Sequence, residues 1–401
     1  MAVAGKFPLI CLLSMAVFDF DIKFSMNSKY RSMNYSFIIC LLLFNFLITS
    51  CRGQNTTAES ESIPLSKQSI SLVFAGDLMQ HQPQITSASI AGGFDYEECF
   101  RYVQETIESA DVAVGNFETT LAGAPYSGFP RFSAPDDFLR GAKNAGFDIL
   151  LNANNHVCDK GQVGIERTLI MMDSLGIGHL GAYADSLQRA NTYPFLLVKN
   201  GFRIVLLNYT YGTNGLPVNK PNMVNYIDKE QMSADINKAK KMHPDCIIAF
   251  MHWGEEYHIE PNDMQQKLAK WLFEQGVTHI IGSHPHVMQP IEVRMDSLSG
   301  QCHILAYSLG NFVSNQSKPF TYGGMMVHMT LEKDSVVRLA NCNYSLYFVT
   351  RPSMSGHKSH RVYDIRTPDS ELSVSERKLR DTFIEQSKQV LRNNKNVKQA
   401  K

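Results

Sequence analysis

The sequence predicts an α/β protein in which strands are layered with helices, and two observations carry that prediction. From about Ser69 onward, short apolar runs alternate with longer segments of helical period, the pattern of strands packed against helices. Most of the apolar runs also finish on Asp, Glu, Asn or His, and in open α/β sheets ligands bind outside the carboxyl ends of the strands. The 401 residues are enough for one large domain plus appendages, and a 44% hydrophobic content suits a substantial core. Lys+Arg and Asp+Glu each total 38, so no net basic charge recommends nucleic acid as a partner.

Taken in order, residues 1–51 hold two apolar stretches, FPLICLLSMAVF (7–18) and FIICLLLFNFLI (37–48). Each is shorter than the ~20 residues of a membrane span. The second follows Lys29 and Arg31 and ends Ile48-Thr49-Ser50-Cys51, the parts of a secretory signal. That ending resembles the lipobox of bacterial lipoproteins, which implies export to the cell envelope and a lipid anchor to the membrane on Cys51. An uncleaved anchor helix is the alternative. Met26 or Met33 would each open an ordinary signal, so residues 1–25 read as an over-extended start. Residues 52–67 are polar and aperiodic and read as a tether.

The main domain is expected over 68–350. Its strand-like runs are 71–77, 111–118, 147–156, 194–211 with a turn at Lys199-Asn200-Gly201, 246–254, 279–286 and 303–311. Helices are expected at 95–109, 135–145, 162–175, 229–243 and 262–275, the last capped by Asn262. Two further strands in 320–350 complete a sheet. Residues 351–401 read as a polar C-terminal extension with one surface helix (about 371–392) and a loose basic tail. Five cysteines, Cys99, Cys158, Cys246, Cys302 and Cys342, follow the signal; their number is odd and no spacing suits a zinc knuckle, so they read as small buried hydrophobes.

The polar strand ends are Asp77, then Asn116 and Glu118, Asn155 and His156, His252 and Glu255, His284 and His286, and Asn311. Burying so many unpaired polar groups at one edge costs several kcal/mol each, so they need a common partner. A divalent cation serves, and the Asp/Glu/Asn/His mixture suits Mn, Fe or Zn, or else Mg, at one or two positions. Without cysteine the set is unlike a structural zinc site. Pro285 pushes His284 to an extended conformation, where residues two apart share a face, so His284 and His286 are expected to chelate together. Asn155 and His156, adjacent in extended chain, should point apart. Asn155 is assigned to the metal shell and His156 to the reacting group as proton donor, with Asp159 closing their loop. Glu118 is a bridging or supporting carboxylate. Glu255, Tyr257, Gln289, Asn311 and Asn116 would orient ligands or meet substrate. The remaining histidines read as structural, with His81, four residues after Asp77, the exception to watch.

Six blocks in order, FAGDLM, GNFETTL, NANNHVCDKG, MHWGEEY, GSHPHVMQPIE and YSLGNFV, spread over residues ~70 to 316, resemble the successive motifs of the CapA family of capsule and poly-γ-glutamate biosynthesis proteins. The resemblance implies a fold like the calcineurin-like metallophosphoesterases, a four-layer sandwich of two facing β-sheets flanked by helices. It implies Asp77 as first carboxylate ligand, Asn155, His252, His284 and His286 as further ligands, and His156 as catalytic acid. Two departures stand out: Met79 occupies a position where those enzymes carry histidine, and Gly115-Asn116 replaces a Gly-Asp bridging carboxylate, with Glu118 nearby. The implied function is a metal-dependent phosphoester hydrolase that helps make, release or anchor an anionic cell-envelope polymer beside membrane synthase partners. A non-catalytic assembly factor holding that polymer in the same cleft, and an amide hydrolase using the same metal chemistry, are the alternatives.

Overall fold

The strand Gln68–Leu78 lies in the larger of two principal sheets and is buried on both faces. Its Ile70, Leu72 and Phe74 join the core shared with the other sheet, while Val73 and Ala75 pack with the helical layer behind. This is the period of two that a strand imposes. Phe74 meets Phe250 of the facing sheet edge to face, ring centroids 5.7 Å apart. A computed structural model of the chain describes residues 68–297 and 300–400. The signal segment, Cys51 and the tether lie outside them.

The larger sheet runs Arg361–Asp364, Val337–Thr350, Gly323–Lys333, Gln68–Leu78, Val112–Phe117, Ile149–Leu151, Gly178–Leu180. From Gln68–Leu78 onward its strands are parallel, and on the other side they are antiparallel. The second sheet runs Ile291–Met295, Cys302–Ala306, His279–Ser283, Cys246–His252, Phe202–Thr210, Phe195–Lys199. Its four central strands are parallel and its two edges are antiparallel hairpins. The hairpin turn at Asn200 (φ 51°) and Gly201 (φ 81°) has the two positive φ values of a tight I′ connection. Helices complete the layers. Asp136–Asn144 buries Phe138, Leu139 and Ala142 behind the larger sheet. Lys229–Lys240 and Asp263–Glu274 bury Met232, Ile236, Leu268 and Leu272 in the core built on the second. Asn262 opens the latter helix through a capping box with Gln265.

Several expectations are corrected. The run 147–156 is a strand only over Ile149–Leu151 before it turns. Residues 95–109 break into Glu97–Phe100 and Gln104–Glu108. The run 303–311 is two pieces: Cys302–Ala306 belongs to the second sheet, and Asn311–Val313 pairs in parallel with Gln68–Leu78 of the first. The chain therefore crosses between sheets at the polar edge. Residues 351–401 are no loose extension. Arg361–Asp364 is an edge strand of the larger sheet, and the helix Val374–Leu391 buries Leu379, Phe383 and Val390 in the core. The supposed tail pairs through Lys398–Gln399 with Val337–Thr350. Its apolar residues are widely spaced, so composition alone read the segment as surface. The five cysteines are free, with Cys99, Cys158 and Cys246 buried.

One irregularity positions the functional edge. Strict alternation would place Asp77 on the same face as Val73 and Ala75, toward the helices. The pairing with Val112–Phe117 slips between Ala75 and Asp77. This bulge resets the phase, so that Leu78 joins the helix-side core and Asp77 turns to the inner face. Gly76 is required there, because a Cβ would stand 1.9 Å from the Gly310 carbonyl oxygen. We expect Gly76→Ala to cost about 2 kcal/mol or more by overpacking, read as a lowered melting temperature. Gly93→Ala, with nothing within 4 Å of its Cβ, serves as the near-neutral comparison. Equal melting temperatures for the two variants would refute the role given to the bulge.

Candidate metal centre

The parallel strands of both sheets end at one edge, and their terminal residues meet there. Asp77 lies opposite Asn116 and Asn311 in register. Asn116 and Glu118, two apart, both reach the inner face, and the Glu118 N–H is tied to the Leu78 carbonyl at 3.0 Å. From the facing sheet come His252, in register with Ser283, and then His284 and His286 just past the strand end.

Their side chains form two overlapping groups. The donor atoms of Glu118, His252 and His284 all lie within 4.8 Å of one another, as do those of Asp77, Glu118 and His286. Glu118 is common to both. Its Oε1 stands 3.8 Å from His252 Nε2 and 3.7 Å from His286 Nε2, and all of these residues are buried. Asp77 Oδ2 lies 3.1 Å from His286 Nδ1. The Asn116 amide is at the middle, its Nδ2 within 2.8 Å of Asp77 Oδ1, 3.2 Å of Glu118 Oε2 and 3.3 Å of His252 Nδ1.

The chemistry of this donor set fits a divalent cation. Two buried atoms, Glu118 Oε1 and His284 Nδ1, have no hydrogen-bond partner, a state that costs ~1–3 kcal/mol per group unless something else satisfies it. Burial, reinforced by the Asp77 charge, raises the Glu118 carboxyl well above the ordinary value. Burial and then the neighbouring imidazoles push His252 and His284 well below theirs. Neutral imidazoles around a strained carboxylate are what a cation would find ready to ligate.

The structure corrects the expected geometry of the histidine pair. His284 and His286 are not in extended chain: both have positive φ, 99° and 56°. The strand stops at Ser283, and the turn sends the two rings to different groups, their centroids 6.0 Å apart. They do not share one three-donor group.

Asn155 and His156 lie in a turn and take different partners. Asn155 Oδ1 is 2.8 Å from His252 Nε2. His156 Nδ1 is 2.7 Å from Asp159 Oδ2, which also accepts the Phe132 N–H at 2.8 Å. The ring packs edge-on against Phe132, centroids 4.5 Å apart. No hydrogen bond engages its Nε2 among the described residues, and His156 is close enough to depress the pKa of His252 and His284.

The outer residues divide. Asn311 Nδ2 donates to the His286 and Thr321 carbonyls and so holds the backbone of a candidate ligand. The Tyr257 ring is 6.2 Å from that of His286. Gln289 is spent elsewhere, donating to the His258 and Glu260 carbonyls and accepting from Gln265; it braces a loop rather than the centre. Glu255 is engaged by the Asn262 amide, whereas the charge of its neighbour Glu256, equally exposed, acts on Glu118, Tyr211 and Tyr257. Sequence reasoning also passed over Tyr211, whose ring packs 4.5 Å from His284 and stacks parallel to His252. Its position at the end of the run 194–211 was the available signal.

The model of the family described as bacterial capsule synthesis protein PGA_cap matches residues 71–316. The chain is 26% identical over 361 residues to the capsule biosynthesis protein CapA of Bacillus anthracis, covering 86% of this chain and 85% of that one. It is 28% identical over 334 residues to the PGA biosynthesis protein CapA of Bacillus subtilis, covering 79% and 82%. Among solved structures it is similar to the calcineurin-like phosphoesterase YfkN of Bacillus subtilis, with 13% identity, a TM-score of 0.41 and coverage of 81% of this chain and 98% of that one. The NAD nucleotidase of Haemophilus influenzae gives 11%, 0.44, 82% and 57%.

Proposed function

Because the chain belongs to the bacterial capsule synthesis protein PGA_cap family, we propose that it is a metal-dependent phosphoester hydrolase of the cell envelope, exported and lipid-anchored through Cys51, acting in capsule or poly-γ-glutamate biosynthesis. The observation that carries the hydrolase reading is the pair of donor groups sharing Glu118, with the His156–Asp159 couple beside them. Asp77, Glu118 and His286 would hold one cation and Glu118, His252 and His284 a second, with the Asn155 Oδ1 close enough to add an oxygen donor. A divalent cation bound there supplies positive charge to a phosphoryl group and to the attacking water.

The chain's own residues do the rest. Asp159 Oδ2 accepts a hydrogen bond from the Nδ1–H of His156, which fixes the ring and leaves Nε2 as the nitrogen that exchanges protons. The carboxylate steadies the imidazolium, so His156 can give its Nε2 proton to a leaving oxygen. Phe132 walls off one side of that ring.

A second reading, a non-catalytic factor that holds an anionic polymer for membrane synthase partners, is favoured by Asn116. An amide at the middle of the centre donates to Asp77 and Glu118 and weakens the case for two tightly held ions. Metal analysis of the purified protein, followed by a panel of phosphomonoesters and phosphodiesters, decides between them. Metal with turnover supports the hydrolase. Metal without turnover supports the holding factor, and no metal at all sinks the hydrolase.

A further inference from the structure

Along one rim of the metal centre runs the segment Asn315–Phe320. It is tied to the candidate ligands: Asn311 Nδ2, which donates to the His286 carbonyl, also donates to Gln316 Oε1 at 3.0 Å. Asn315 is held from the other side by His81 and His360, at 3.3 and 3.0 Å. The His81 ring packs edge-on against Phe132, the same ring that walls His156. The rim thus reaches continuously from His156 to His286.

Among the described residues, two cations on this rim have no carboxylate within ion-pair distance. Arg351 is half-buried, and its guanidinium donates only to the Gln316 carbonyl; no carboxylate lies within ion-pair distance among the described residues. Its charge is felt by both His81 and His360. Burial with no opposing carboxylate lowers its pKa, whereas Arg167, Arg189 and Arg361, each paired with a carboxylate, are raised. Lys318 is exposed, with its Nζ 3.5 Å from the centroid of Tyr257 and likewise no acidic partner within ion-pair distance. Tyr257 in turn packs toward His286. Desolvating a guanidinium without an anion is costly, and the arrangement makes physical sense if the anion arrives with the ligand.

We propose that Arg351 and Lys318 form an anion-binding subsite for a second carboxylate or phosphate group of the substrate, next to the bond that the metal centre addresses. The inference rests on the hydrolase reading for its role. It names the substrate class as a repeating or multiply charged anion, not a neutral glycan. The planar Arg351 fork would take a carboxylate or phosphate oxygen pair, and the cation on Tyr257 would add charge without fixed geometry.

The test is titration calorimetry on the full, EDTA-treated chain with penta-glutamate, tripolyphosphate and neutral maltopentaose. One or both anions should bind and the neutral sugar should not; which anion binds identifies the group as carboxylate or phosphate. Arg351→Gln should weaken anion binding about tenfold or more and flatten its salt dependence, and Lys318→Gln should weaken it less. Arg351→Lys, which keeps the charge but loses the fork, should bind more weakly than the parent and more tightly than Arg351→Gln. Metal uptake should be unchanged in all three variants. Absence of anion binding by the parent chain, equal binding by Arg351→Gln, or an Arg351→Lys variant as weak as Arg351→Gln would each overturn the subsite. Turnover is not part of the readout. A chain that binds anions here yet cleaves no phosphoester keeps this inference and loses the hydrolase reading.

Discussion

Glu118→Gln should abolish tight divalent-metal binding while making the metal-free protein more stable. The loss follows because Glu118 is the only carboxylate common to both donor groups, so no neighbouring group replaces it in either. The stabilisation follows from burial: Glu118 is fully buried and its Oε1 unpartnered, and replacing an ionised carboxyl there by an amide relieves a cost of about 1–3 kcal/mol. The pH dependence has a definite sign. Burial and the Asp77 charge raise the folded-state pKa of Glu118, so its favourable contribution is complete below the unfolded value of ~4.3 and is lost as pH rises through the folded value. The advantage of Glu118→Gln should therefore be small near pH 5 and grow toward pH 8. In the parent chain, cation at a hundred times its dissociation constant should add about 2.7 kcal/mol of stability; in the variant it should add none. Melting curves with EDTA and with Mn²⁺ across pH 5–8 measure both effects. A variant that still gains stability from metal would remove Glu118 from the centre.

His156→Ala should leave metal content intact and lower kcat by about 10²- to 10⁴-fold, the range for loss of a positioned general acid. His156 belongs to neither three-donor group, so its removal spares the ligands. Asp159→Asn should cost less, about one to two orders of magnitude, because the ring stays packed on Phe132 while its Nδ1 partner weakens. The discriminating readout is leaving-group dependence: the losses should be largest on esters with poor leaving groups, which need the proton, and smallest on good ones, whereas a merely structural change would lower all rates alike. Rates of His156→Ala equal to the parent on every ester of the panel would end the assignment.

Much of the architecture is legible in the sequence because it follows from local rules. The helices Asp136–Asn144, Gly161–Ser174, Lys229–Lys240 and Asp263–Glu274 lie within about three residues of their periodic segments, since an amphipathic stripe and a cap such as Asn262 are set by neighbours in the chain. The membership of the edge is legible too, because each polar residue directly follows an apolar run. What was misread has a common cause. The segment 351–401 has few apolar residues, but Phe383 and Val390 find a core supplied by strands more than thirty residues earlier, and no local signal reports that. Gln289 and Glu255 lie beside the polar strand ends in sequence, but their side chains are claimed by the Gln265 amide and the Asn262 cap.

An α/β chain whose strand ends gather Asp, Asn, Glu and His at one edge, the donor types that suit a divalent cation, can be read from the sequence alone. Alternation of period two and the cost of burying polar groups are enough for that. Which of them stand together follows from long-range packing. The bulge at Gly76 turns Asp77 from the helix side to the inner face. The positive φ values of His284 and His286 deal the two rings to different groups. Glu118 becomes the residue between them because the two sheets place their ends face to face. Those outcomes depend on pairing register and on contacts between residues more than 200 positions apart, such as Asp77 with His286 and with Asn311, and a strand's own residues do not encode which distant partner it will meet.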